Sequence, residues 1–269
     1  MNKLMITQEA GVATVLIKNP PVNILTIDLI NELNAFILSL KDDRETKVVV
    51  FKSFHEAFFI AHLDLNVING TSGGQAASIE FNHMIANIKA MKQLSIAVVD
   101  GVARGGGNEF VMACDLAYGT EKSAFAQPEL YINIPTGGQG AVQLARRLGK
   151  GKALQALLTG ADFTAQQAET LNIITQFVLK AELDAFLAQL LSVIVGWEVR
   201  DIVMYKEIIA ASIKDEAVGT ELELRYFLER AKEEKTQAII AAFLKHGGQT
   251  DREAKDMQGI FVDTAAELL

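Results

Sequence analysis

Apolar residues along this chain switch between a strand-like and a helix-like spacing. Val12-Ala13-Thr14-Val15-Leu16-Ile17 is short and rich in β-branched residues, and Asn19-Pro20-Pro21 stops it because neither proline can donate to a ladder. From Thr26 the residues Ile27, Leu29, Ile30, Leu33, Phe36, Ile37 and Leu40 recur at helical spacing, with Thr26 and Asp28 suited to a helix start. Lys47-Val48-Val49-Val50-Phe51-Lys52 is a compact β-branched run bounded by charge, the pattern of a buried parallel strand. A helix over about Ser78 to Met91 leads to a second such run, Ser95 to Asp100. The glycines Gly105-Gly106-Gly107 follow, then the helix-compatible Glu109 to Cys114 and two short strands, Leu116-Ala117-Tyr118 and Ala124-Phe125-Ala126. Strands alternating with helices predict an α/β fold with parallel pairing.

Beyond about Lys180 the spacing is helical throughout: Leu183 to Ile194, Asp201 to Ile213, Glu221 to Ala231 and Thr236 to Leu244. This predicts a core over 1–190 and a helical region over 191–269 that packs on itself or on a neighbouring subunit. The glycine-rich stretch Asn69 to Gln75 predicts a mobile loop.

Half of the 269 residues are hydrophobic, enough for a substantial core without covalent staples. A formal net charge of −8 opposes attraction to nucleic acid or to an anionic membrane. The single cysteine, Cys114, cannot form an intramolecular disulfide; it is expected in the core, and a reducing, cytoplasmic setting follows. The amino terminus acquires Gln8 and Glu9 before any apolar run of the length a signal sequence needs. No apolar stretch approaches the roughly 20 residues that cross a bilayer.

Glycines between a buried strand and a helix let a ligand approach the backbone, where the first helical amides lack intrahelical acceptors and carry a partial positive charge. An oxyanion or a phosphate suits such a place, and a tight connection with no ligand would use the same residues. Gly-x-Gly-x-x-Gly, a Gly-Lys-Ser/Thr phosphate loop and a Gly-x-Ser-x-Gly elbow do not occur, and His55, His62, His83 and His246 lack His-x-x-x-His spacing, so no metal is expected. Glu109 falls two residues past the glycines and is followed by Phe110, Val111, Met112 and Ala113. An apolar wall there would raise its pKa toward neutrality and suit it to proton transfer.

Gly101-Val102-Ala103-Arg104-Gly105-Gly106-Gly107-Asn108-Glu109-Phe110, with Cys114-Asp115 after it, resembles the enoyl-CoA hydratase/isomerase (crotonase) family. Ala57 to Leu65 resembles that family's Ala-Gly-Ala-Asp-Leu segment, and Ala126-Gln127-Pro128-Glu129 its Gln-Pro-Glu motif. Thr159-Gly160 and Ala165-Gln166-Gln167-Ala168 extend the ordered matches over roughly residues 10 to 180.

The resemblance implies an α/β crotonase-like core of ββα repeats with a carboxy-terminal all-helical region, assembled as a homotrimer or homohexamer. It implies an acyl-CoA thioester as substrate and no separate cofactor, coenzyme A being part of the substrate. By position, the amides of Ala61 and Gly106 would form an oxyanion hole, in which one lost donor typically costs about 3 kcal/mol. Glu109 and Glu129 would be the acid–base pair of a hydratase; an isomerase would rely on the second alone. Gly137 would help hold water. Ala61, His62, Leu63, Asp64 and Leu65 would lie along the coenzyme A, Gly105 would line the thioester site, and Lys245 would meet phosphate.

Some positions depart from the family pattern. His62 stands where a glycine follows the first oxyanion-hole residue, Leu63 replaces a small residue, Thr136 falls where proline is common, and Gln139 replaces a glycine. His62 would either face outward, or narrow the acyl pocket or add an acid–base group. The rival expectations are another crotonase-type reaction, chiefly isomerisation, and a catalytically silent acyl-CoA-binding or RNA-binding homologue.

Overall fold

The computed structural model describes residues 3–68 and 71–268. Its chain begins with the hairpin β1 (Leu4–Glu9) and β2 (Val12–Ile17), runs through α1 (Ile27–Ser39) to β3 (Val48–Ser53), and adds the short β4 (Phe58–Ile60). After α2 (Ser72–Ala90) come β5 (Leu94–Val99), β6 (Val102–Arg104), α3 (Gly106–Ala113), β7 (Leu116–Gly119) and β8 (Ala124–Ala126). Then follow α4 (Gly140–Thr159), β9 (Phe163–Thr164), α5 (Ala165–Thr170), β10 (Gln176–Phe177) and α6 (Leu183–Ile194). The remaining helices are α7 (Val199–Lys214), α8 (Glu216–Arg230), α9 (Glu234–Lys245) and α10 (Asp251–Leu268).

Among the described residues the strands form two sheets, one of six in the order β1-β2-β3-β5-β7-β10 and one of four in the order β4-β6-β8-β9. Only β1 runs antiparallel in the first sheet. Val48 to Phe51 are all buried, and their alternation separates two apolar layers. Val49 and Phe51 pack in the layer that holds α1, α2 and α3, whereas Val48 and Val50 meet Val98, Tyr118, Leu183 and Leu187 on the other side.

The α/β class and parallel pairing predicted by the spacing are present, and α6 spans the residues that the apolar period marked. Several elements, among them the short β4 and β6 and the long α4, were not anticipated, and three more differ from expectation. The glycine-rich stretch is helical from Ser72, because Thr71 caps the helix by accepting the Gly74 amide at 3.2 Å and the following turns bury Ala77 and Phe81; Asn69 and Gly70 lie outside the described residues. β1 was not anticipated, since five of its six residues are exposed and its own pattern is weak. α10 continues the helical region past Leu244.

The molecule divides into two compact units, Met1–Ile202 and Val203–Leu269. The second is helical and exposes Tyr205, Ile209, Ile213 and Phe227. No helix among the described residues is long and apolar enough to cross a membrane.

Candidate active site

α3 joins the two sheets, and all eight of its residues are buried. Its entry residue Gly105 has φ +50°, and its amide donates to the Ala126 carbonyl at 2.9 Å. A Cβ on Gly107 would lie 2.1 Å from the Ile60 carbonyl oxygen, so only glycine lets the helix start this close to β4. Farther along, Phe110 packs edge-on against Phe51, with ring centroids 5.1 Å apart, and also meets Phe59. The Arg147 guanidinium closes the far end, donating to the Met112 carbonyl at 2.9 Å.

This packing fixes Glu109, which is 2% exposed. Its Oε1 accepts the amides of Gly138 at 2.7 Å and Gly140 at 2.8 Å. Burial pushes its pKa up to about 7, the Gly140 and Gly138 amides pull the other way, and the charge of Glu129 adds to the rise.

Glu129 begins a short 3-10 turn, Glu129–Ile132, after β8. Gln127 Nε2 donates to its Oε1 at 3.0 Å, while Oε2 is buried and has no hydrogen-bond partner. Burial holds this carboxyl above its ordinary range as well. It reaches Gly105, where a Cβ would be 3.1 Å from Glu129 Oε1 and 3.8 Å from the His62 Cβ.

The segment Ala61 to Asp64 runs along the same glycines. It is pinned to Leu25, whose amide donates to the His62 carbonyl at 2.9 Å and whose carbonyl accepts the Asp64 amide at 3.0 Å. Ala61 is buried, and a Cβ on Gly106 would come 3.1 Å from the Leu63 amide nitrogen. His62 is half-buried, with Nδ1 2.8 Å from the Leu63 carbonyl oxygen. Asp64 caps a one-turn helix, Leu65–Val67, and Leu65 is exposed. An open hollow of about 430 Å³ follows, lined by Val67, Ile68, Gly74, Gln75, Ser78 and Ile79.

The fold therefore brings Ala61, His62, Leu63, Gly105, Gly106, Glu109 and Glu129 into one neighbourhood. Gly137 contributes its carbonyl to Asn82 Nδ2, and Gly138 and Gly140 supply the amides at Glu109. Lys245 belongs to the second unit and pairs with Glu267 at 2.9 Å. The sequence did not single out Asn108, Gln127, Gly138 or Gly140; a side-chain amide one or two residues before each glutamate was the available signal for the first two. Among the described residues no group of three potential ligands is gathered for a metal ion.

Glu109, buried, and Glu129, half-buried, thus share a glycine-led helix start on a layered α/β fold, both with raised pKa values, an arrangement suited to proton transfer. Residues 7–250 match the family model described as enoyl-CoA hydratase/isomerase. The short-chain-enoyl-CoA hydratase of Clostridium acetobutylicum is 29% identical over 186 residues, which cover 68% of this chain and 71% of that protein. A probable enoyl-CoA hydratase of Rhizobium meliloti is 27% identical over 246 residues, covering 90% of this chain and 94% of its own. In fold, the crystal structure of an enoyl-CoA hydratase from Bacillus anthracis superposes with a TM-score of 0.83 at 22% identity, covering 91% of this chain and 96% of that one. The chain belongs to the enoyl-CoA hydratase/isomerase family.

Proposed function

We propose that this enzyme adds water reversibly to a 2-enoyl-CoA thioester, giving a 3-hydroxyacyl-CoA. The observation that carries the proposal is the pair of carboxyls: Glu109 is held by two amides with its pKa near 7, and Glu129 presents a bare Oε2 beside the same glycines. The substrate carbonyl would lie between the amides of Ala61 and Gly106, which stabilise the negative charge that addition places on its oxygen. A water held between the carboxyls adds its oxygen to C3 and gives one proton to a carboxylate, and a carboxyl delivers a proton to C2. The balance is one water added, with no electron transferred and no cofactor consumed. Assembly as a homotrimer or homohexamer belongs to the same proposal, supported by the apolar side chains exposed on α7 and α8.

The test follows the ultraviolet absorbance of crotonyl-CoA and of a longer 2-enoyl-CoA, with Glu109→Gln and Glu129→Gln beside the parent. Hydration by the parent and a loss of at least about 100-fold in each variant are expected. Isomerisation of a 3-enoyl-CoA that survives Glu109→Gln and fails in Glu129→Gln would replace hydration with double-bond migration. Salt-dependent RNA binding without any thioester turnover would overturn both reactions.

A further inference from the structure

A chain of amide hydrogen bonds runs from α3 to Glu129. Asn108 Nδ2 donates to Gln127 Oε1 at 2.9 Å, and Gln127 Nε2 donates to Glu129 Oε1 at 3.0 Å. Both amides are buried, at 1% and 2% exposure. In this arrangement the Gln127 oxygen takes the Asn108 donor and its NH₂ end faces the carboxyl, which suits an ionised Glu129, while Asn108 Oδ1 is buried without a hydrogen-bond partner. Asn108 directly precedes Glu109, so one rigid helix carries the first glutamate and the tether of the second.

We propose that Asn108 and Gln127 are positioning residues that anchor Oε1 of Glu129 and reserve its bare Oε2 as the oxygen that exchanges a proton with substrate. The catalytic consequence rests on the hydratase proposal, whereas the anchoring is a property of the resting protein. A donor at Oε1 stabilises the ionised carboxyl against burial and makes that oxygen the poorer proton acceptor. Oε2, buried and with no hydrogen-bond partner, takes the proton, and the backbone amide of Glu129 adds to the pull on the carboxyl's pKa against burial. An unanchored carboxyl would rotate and offer either oxygen, diluting the productive geometry.

The experiment compares Gln127→Met, which keeps length and removes the donor, with Asn108→Ala at the other end of the relay. Two readouts are taken. The first is the titration of the Glu129 carboxyl by ¹³C NMR, its resonance assigned by loss in Glu129→Gln; the second is kcat and KM across pH. Among the described residues, the titratable groups placed near Glu129 are Glu109 on α3 and His62, whose Cβ lies near Gly105 as Glu129 Oε1 does, and neither is substituted in these variants. In Gln127→Met the Glu129 midpoint is expected to rise by about one pH unit, with kcat falling roughly tenfold or more and KM little altered. Asn108→Ala moves both readouts the same way by less, because Gln127 is then free to turn. In a Glu129→Gln background, Gln127→Met adds no further loss.

An unchanged Glu129 titration in folded Gln127→Met, or a loss that adds in full to that of Glu129→Gln, overturns the relay. If the parent hydrates no 2-enoyl-CoA, the proposed function fails, and the carboxyl titration still decides the anchoring. If Gln127→Met does not fold, Asn108→Ala carries the same two readouts.

Discussion

Gly140 donates its amide to Oε1 of Glu109 at 2.8 Å, and a Cβ on that glycine would lie 2.9 Å from the same oxygen and 2.4 Å from Nε2 of Gln127. The residue that holds one carboxyl is thus also the one whose bareness leaves room for the amide that holds the other. Gly140→Ala is expected to lower kcat by at least about tenfold while the protein stays folded, since one added carbon displaces both groups by tenths of an ångström or more. Steady-state kinetics with circular dichroism as the folding control checks this.

The raised Glu109 pKa also has a stability consequence of definite sign. Its carboxyl is pushed from 4.5 to about 7, so between those values the native state holds a proton that the unfolded chain has released, and stability falls as pH climbs through that window. Once ionised, the buried group costs about 3 kcal/mol relative to its neutral form. Urea unfolding should therefore find Glu109→Gln more stable than the parent by up to about that amount near pH 8, with the difference shrinking toward zero near pH 4. A difference independent of pH would contradict the assignment.

Arg147 presents a different kind of dependence. Its guanidinium donates to the carbonyls of Met112 at 2.9 Å, Asn172 at 2.9 Å and Ile173 at 3.3 Å, and burial pushes its pKa down. Lysine carries the charge but not the fork. Arg147→Lys is expected to cost about 1–3 kcal/mol in chemical denaturation, through the carbonyls left unsatisfied at Met112, Asn172 and Ile173.

His62 lies close to Gly105, its Cβ 3.8 Å from the point where a Cβ on that glycine would stand and Glu129 Oε1 3.1 Å from the same point, so its side chain takes up space there that a glycine would leave open. His62→Gly is expected to raise kcat/KM for a longer 2-enoyl-CoA relative to crotonyl-CoA by about tenfold, the worth of roughly one methylene's fit. Competition between the two thioesters in one reaction measures the ratio directly.

How much of this was legible in the sequence depended on where each residue's instruction lies. β3 and α6 could be read because burial of both faces, or of one helical face, is written in their own side chains. β1 could not, because Met5, Ile6, Thr7, Gln8 and Glu9 are exposed and pairing with β2 sets their conformation. β4 and β6, of three residues each, are too short to show a period, so the second sheet stayed hidden. Glu109 and Glu129 were visible as motif residues, and the apolar stretch after Glu109 anticipated its raised pKa. The amides of Gly138 and Gly140 were not, because a main-chain donor has no signature in residue type. The helix start at Ser72 was masked by Gly73 and Gly74, which read as loop until Thr71 supplied a cap.

Consider finally the eight buried residues of α3. A helix with no wet side has no position at which a larger or more polar side chain can turn out to solvent, so each replacement must fit a closed space. Substitutions meant to change what the site accepts while leaving this helix intact therefore belong outside it, at the half-buried His62, Leu63 and Asp64 and at Thr136 and Gln139. It is there that this chain carries its unusual residues, His62 among them.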